Sequence, residues 1–230
     1  MRNESNSHGR RQFFKKAGWG AMGAMLTVSR LGRAQTAAGC GLTPPQTEGP
    51  FYPGESKFTI DNDLTRLPGR NSRPLGQVIY IQGHILGPGC RPVKGALVEI
   101  WQACSSGRYN NKKDTNRAKL DPNFRYWGEM ITEEDGDYMF KTIIPGAYPA
   151  DSDWTRPPHI HFKIAAMGYK ELITQMYFAG QSLNDHDLIL QQIPKAEQGA
   201  VIVEFAPAPQ NLEPGSLIGN FDITIESVRG

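Results

Sequence analysis

No apolar run in the 230-residue chain approaches the roughly 18 residues of a membrane-crossing helix, so no stable membrane span is expected. Collagen triplets, heptads and repeats of the roughly 20–50 residues seen in solenoids and propellers are also missing, which removes fibres, coiled coils and repeat arrays. Cysteine is scarce. Cys40, Cys90 and Cys104 are the only three, with no CxxC pair, so neither a zinc site nor a disulfide-dense scaffold is encoded. In an oxidising compartment one pair can bridge, leaving one thiol over. Cys90 and Cys104 flank an apparent strand and would pair only if its loops folded back; the pairing stays open. Excess charge is lacking too. The formal net charge is +2, but residues 1–38 hold seven of the 25 basic residues and one of the 23 acidic ones, leaving 18 against 22, or −4, in the body. A mildly acidic body suits no phosphate backbone, so no nucleic-acid partner is expected.

What is present begins with a targeting pattern. Arg10-Arg11-Gln12-Phe13-Phe14-Lys15-Lys16 precedes a charge-free stretch, Ala17 to Ser29, and then a small-residue zone, Ala34-Gln35-Thr36-Ala37-Ala38. Basic, apolar and small-residue zones in that order read as a cleavable signal over 1–38. The adjacent arginines followed by two Phe resemble a twin-arginine signal, which exports folded proteins to the periplasm or beyond. Cys40 after Ala-Ala-Gly faintly resembles a lipoprotein cleavage box, with Ala37 where Leu is usual.

After a polar, Pro-rich arm (39–75), the domain over 76–230 reads as all-β. Gln77–Leu86, Ala96–Gln102, Tyr138–Ile144, His159–Ala165, Leu172–Phe178, Ala200–Phe205 and Asn220–Val228 are short, β-branched and aromatic, and Gly, Pro, Asp and Asn punctuate them. Seven such segments predict an antiparallel β-sandwich or barrel with long functional loops. Ser105–Met130 reads as a long polar insertion, a length uncommon without a function. Asp185–Gln192 reads as a short helical turn.

The chemistry-bearing residues are two histidines and two tyrosines. In His159-Ile160-His161 on a strand, both imidazoles project to one face. Alone, such a pair is as often two surface histidines as a chelate. Arg156, just upstream in Trp154-Thr155-Arg156-Pro157-Pro158, would repel a cation unless the other ligands or the substrate were anionic. Of eight tyrosines, Tyr109 and Tyr148 sit in non-strand settings past strand ends, where loops carry function; each alone reads as a packing residue. Two phenolates with two imidazoles would form a hard, doubly anionic set favouring Fe(III) over Fe(II) or Zn(II).

Five segments carry a resemblance. Gly107-Arg108-Tyr109, Leu120-Asp121-Pro122-Asn123-Phe124, Thr142 to Pro149, Arg156 to Phe162 and Leu172 to Phe178 together resemble the intradiol ring-cleavage dioxygenases, in particular the iron-bearing (beta) subunit of the protocatechuate-cleaving members. The resemblance implies a β-sandwich with non-haem Fe(III) held by Tyr109, Tyr148, His159 and His161. It implies a catechol-type substrate and O2 as partners, allows a homo-oligomer, and gives a cis,cis-muconate-type diacid as product. Tyr148 would leave the metal to act as base for a substrate hydroxyl, Arg156 would stabilise negative charge building on the ring, and Gln175 would shape the oxygen-side pocket.

The protocatechuate-cleaving members have Trp after Tyr-Pro; Ala150 stands here, which reshapes the wall. A second subunit also lines their site, so this chain would need its own arm. Thr47-Glu48-Gly49-Pro50-Phe51-Tyr52 resembles their Thr-x-Gly-Pro segment, with Tyr52 or Arg70 as further contacts. Two other readings compete. A secreted β-sandwich binding module would keep the fold without the chemistry, but leaves the joint presence of all four candidate ligands and Arg156 unexplained. A zinc hydrolase would use the histidines alone; His84 and His186, the other body histidines, sit in no ligand pattern.

Overall fold

The computed structural model describes residues 40–53 and 60–228, so the signal over 1–38 lies outside the described residues. The described residues form thirteen strands: β1 (Val78–Gly87), β2 (Arg91–Pro92), β3 (Leu97–Trp101), β4 (Trp127–Ile131), β5 (Asp137–Ile143), β6 (Tyr148–Pro149), β7 (Thr155–Arg156), β8 (His159–Ala165), β9 (Leu172–Phe178), β10 (Ile202–Val203), β11 (Phe205–Pro207), β12 (Leu217–Asn220) and β13 (Ile223–Thr224). Among the described residues the only helical pieces are short 3-10 turns, Ser182–His186 and Leu190–Gln192 among them. These two occupy the segment expected to hold one helical turn.

β11, β12, β1 and β13 run side by side, with β2 and β5 also on β1; the second sheet has the order β10-β9-β8-β3-β4. Both sheets are mixed, since β1 is parallel to β12 and β13 and antiparallel to β5, while β10 is parallel to β9. They face each other across one apolar core. Ile79, Ile81 and Ile85 of β1 and Phe140 of β5 meet Val98 and Ile100 of β3 and Ile160, Phe162 and Ile164 of β8. The residues of each strand that share a parity share a face, and burial of the apolar set drives the stacking.

Three expectations are refined. β4 forms at the end of the expected insertion, so the β3–β4 connection runs over 102–126. The expected strand Asn220–Val228 breaks, because Phe221 turns inward and its carbonyl accepts the Tyr138 hydroxyl (2.5 Å) while Asp222 accepts the His84 backbone N–H (2.9 Å). Gly83 makes the crossing feasible, since a Cβ there would lie 2.1 Å from the Phe221 carbonyl oxygen. Tyr148 is not in a loop but in β6, paired with Arg156 of β7. Of the cysteines, Cys40 bonds Cys90, and Cys104 is a buried free thiol.

Candidate metal centre

The second face of the five-stranded sheet is also buried, and there the site forms. Trp127, Trp101, His161 and Gln175 stand directly opposite one another across β4, β3, β8 and β9, with His159 opposite Tyr177 in the next row. A sandwich leaves its outer faces to solvent unless something covers them. Here an apolar cluster of Trp101, Ala103, Tyr109, Trp127 and Tyr148, flanked by Phe51 and Tyr52, lies on that face.

Two loops set the tyrosines, Tyr109 within the first and Tyr148 at the start of β6 just after the second. Gly107 and Gly146 pack back to back, and the Cys104 carbonyl accepts both their N–H groups (2.9 and 3.0 Å). A Cβ on Gly107, whose φ is +80°, would lie 2.3 Å from the Ala147 carbonyl oxygen, and one on Gly146 would lie 2.4 Å from the Gly107 nitrogen. Only glycine allows that approach. It sets the Tyr109 and Tyr148 rings edge to face at 5.6 Å, with Tyr148 5.6 Å from His159, Tyr109 6.4 Å from His161, and the two imidazoles 5.1 Å apart. The structure thus gathers all four expected ligand residues. Asp114 fixes the first loop by accepting the Tyr109 N–H (2.6 Å).

The protonation states suit ligation. Burial pushes both histidines well below the usual imidazole range, and the Arg156 charge adds to it, so both rings are neutral and can donate a lone pair. His159 donates from Nδ1 to the Pro157 carbonyl (2.7 Å), which leaves Nε2 as the basic nitrogen. That nitrogen faces Arg156 Nη1 at 3.0 Å, a donor that a metal on the same lone pair would displace. His161 stacks on Trp101 at 4.7 Å, and its Nδ1 is buried without a partner. Burial drives both tyrosines above the usual phenol range, and the Tyr109 hydroxyl is buried with no hydrogen bond. Orphaned buried polar groups are costly, and a cation between two phenols is what would ionise and satisfy them. The donor set fits a hard trivalent ion, and Tyr109, Tyr148, His159 and His161 are the residues that would hold it.

Arg156 is the hub beside this cluster. It is 3% exposed, donates through Nε and Nη2 to both oxygens of Asp187 (2.9 and 3.1 Å), and reaches Gln175 Oε1 (2.9 Å) and Tyr177 (3.1 Å) through Nη2. Asp187, fully buried, is held in turn by the N–H groups of Ile189 and Leu190. Sequence reading missed it: nothing in Asn184-Asp185-His186-Asp187 separates the buried acid from the exposed Asp185. Tyr177 was findable, since it has the parity of Gln175 on β9.

A cavity of about 720 Å³ opens over the cluster. Tyr148, His161 and Arg156 line it; Tyr109 and His159 do not. The arm completes it within the same chain: Thr47, Gly49, Pro50 and Phe51 are on its wall. Gln46 pins that arm through Nε2 to the Gln175 carbonyl (3.0 Å) and accepts the Tyr177 hydroxyl (2.9 Å), and Gln175 Nε2 donates to the Thr47 carbonyl (2.9 Å). Gln175 therefore joins arm to Arg156 and does not line the cavity. Tyr52 packs on Trp101 and donates to Glu99 (3.0 Å), and Arg70 is on the surface, so neither contacts the cavity. His84 bonds Asp222 at the surface and His186 is exposed.

A family profile described as Dioxygenase matches residues 47–211. The chain is 41% identical over 181 residues to the protocatechuate 3,4-dioxygenase beta chain of Burkholderia cepacia, covering 76% of each. It is 30% identical to the 6-chlorohydroxyquinol 1,2-dioxygenase of Cupriavidus pinatubonensis over 72% of this chain and 60% of that one. Among solved structures, the intradiol ring-cleavage dioxygenase from Tetranychus urticae is similar at 26% identity with a TM-score of 0.63, covering 83% of this chain and 97% of that one. The dioxygenase domain of a dioxygenase carbohydrate-binding protein fusion from Streptomyces sp. SirexAA-E is similar at 28% identity with a TM-score of 0.62, covering 82% and 100%. With two tyrosines and two histidines converging under one cavity and these similarities in hand, the chain belongs to the intradiol dioxygenase family.

Proposed function

We propose that this protein is a non-haem Fe(III) intradiol dioxygenase that cleaves a catechol-type ring with O2 to a cis,cis-muconate-type dicarboxylic acid. The observation that carries the reading is the convergence of two buried phenols with two neutral imidazoles, the donor set suited to a ferric ion. Bound there, Fe(III) would supply the Lewis acidity that binds a catechol dianion and withdraws electron density from its ring.

The remaining work falls to the chain. Tyr148, the one ligand tyrosine on the cavity wall, is the base placed to take a substrate hydroxyl proton at Oη. Arg156, charged and fixed by Asp187, presents its guanidinium to the cavity and stabilises negative charge that grows on the ring, an electrostatic role that needs no reorganisation. The arm and Ile189 wall the sides of the cavity. Export is part of the proposal. The Cys40–Cys90 bridge is the kind that persists in an oxidising compartment, it leaves Cys40 no thiol for a lipid, and folded export through the Arg10-Arg11 signal would carry an already loaded metal.

A visible spectrum with iron analysis on the mature protein tests the reading, before and after anaerobic catechol. A strong phenolate-to-iron charge-transfer colour that shifts on adding catechol, followed by ring cleavage in air, is expected. A protein that stays colourless after ferric loading overturns the proposal and leaves a binding module with the same fold.

A further inference from the structure

The cavity has a buried floor and an exposed rim of different chemistry. Tyr148, Arg156 and His161 form the floor; Lys113 and Arg117 of the β3–β4 insertion, with Ala150 and Trp154 of the β6–β7 hairpin, stand on the wall above. A volume of about 720 Å³ lies in the range that encloses a drug-sized ligand. A bare dihydroxybenzene seated at Tyr148 leaves most of it unfilled.

The rim is a built surface. Asn111, Asp114 and Asn116 each accept the backbone N–H two residues on, from Lys113 (2.9 Å), Asn116 (2.8 Å) and Ala118 (3.0 Å). Such side-chain-to-backbone turns fix a loop locally. Arg108 clamps the Ala118 carbonyl (2.8 Å), and the second oxygen of Asp114 holds the Tyr109 N–H. On the hairpin, Asp151 accepts the N–H and hydroxyl of Ser152. Asp114 is therefore engaged through both carboxylate oxygens and Asp151 through one. Lys113 and Arg117 make no ion pair among the described residues, and the Trp154 indole N–H is buried without an acceptor. Lys113 and Arg117 are thus the cations of the upper wall that no carboxylate of the described residues neutralises.

We propose that the substrate is a catechol bearing a carboxylate on a spacer, set at least one carbon beyond the ring. Lys113 and Arg117 are the specificity-determining residues that receive it, and the small Ala150 leaves the passage. A carboxylate attached directly to the ring stays nearer the buried floor, below the exposed Lys113 and Arg117. This inference rests on the ring-cleavage reading, which seats the catechol end at Tyr148.

The test compares dihydrocaffeate, its methyl ester and protocatechuate on the iron-loaded protein, by steady-state kinetics in air and by calorimetric Kd without oxygen. Dihydrocaffeate should exceed its ester by about tenfold in kcat/KM and in affinity, the scale of charge-assisted hydrogen bonds, and should exceed protocatechuate. The preference should reside in KM, shrink at high salt, and collapse in the K113Q/R117Q double variant and in part in R117Q. Equal handling of acid and ester, a preference that survives the double variant, or protocatechuate outrunning dihydrocaffeate overturns the inference. If the acid binds by the expected preference but no ring is cleaved, the rim assignment stands and the ring-cleavage reading falls.

Discussion

On β8, Ile160, Phe162 and Ile164 face the interior of the sandwich, while His159 and His161 face the other way, and all five are buried. The two faces bury their residues for different reasons. On the inner face each side chain meets apolar partners, as Phe162 meets Phe221 at 5.1 Å and Tyr138 at 6.1 Å, and burial lowers the free energy directly. On the outer face the covering layer is assembled by the arm and two loops, and it leaves the Tyr109 hydroxyl and His161 Nδ1 without partners. A fold seldom leaves such groups unmatched except where function needs them. One strand thus separates the face that folds the molecule from the face proposed to hold the metal.

Exchanging the two faces gives the largest contrast. Phe162→Ala should lower stability by about 3–5 kcal/mol through the cavity it leaves, with iron binding changed only as far as unfolding demands. His161→Ala should abolish the iron colour while shifting the urea midpoint of the metal-free protein far less, because its ring nitrogen is unpaired already. Equal midpoints for the two variants would erase the distinction between the faces.

The next effect tests the charged part of the outer face. Asp187→Asn removes the counter-charge of a buried guanidinium, and breaking a buried pair from one side costs about 3–5 kcal/mol. Because this substitution keeps the size and part of the hydrogen bonding, the lower end is expected. Turnover should fall in kcat more than in KM, since Arg156 loses its aim at developing charge. A variant with wild-type kcat would show that Asp187 serves folding alone.

A third substitution sits where the two faces join. Gly107→Ala forces a Cβ toward the Ala147 carbonyl in a backbone of φ +80°, at a cost of about 1–3 kcal/mol. It should part the Tyr109 and Tyr148 loops and weaken iron affinity. Retention of wild-type iron content at limiting metal would refute the idea that this contact sets the spacing of the tyrosines.

The inner face was largely legible in the sequence, because alternation over Ile160-His161-Phe162 reports strand parity directly. So was half of the outer face, since parity alone puts His159 and His161 together. Tyr109 and Tyr148 became legible only through their Gly107-Arg108-Tyr109 and Pro145-Gly146-Ala147-Tyr148 contexts. Asp187 and the Gln46 anchor were not legible. Their roles depend on irregular segments folding back from a long sequence distance, and no periodicity marks which polar residue of a loop turns inward. The Cys40–Cys90 bridge was hidden for the same reason: it ties the arm to the turn after β1, 50 residues away.

The smallest effect lies outside both faces, at the edge of the six-stranded sheet. Glu213 accepts from Lys141 Nζ (2.9 Å) and pairs with Arg73. The Lys141 hydrogen bond, reinforced by the two positive charges, holds the Glu213 carboxyl below its ordinary value of 4.5. A carboxyl lowered in the folded state binds its proton more readily when unfolded, so its contribution is complete above pH 4.5 and is lost as pH falls through the folded value. The partly exposed pair contributes below about 1 kcal/mol. Glu213→Gln should therefore destabilise slightly at pH 7 and flatten the acid limb of the stability curve below pH 4.5, with iron colour and turnover untouched. An unchanged acid limb would show that the pair contributes nothing, and a loss of colour would mean that this edge is coupled to the outer face, against the separation the two faces of β8 display.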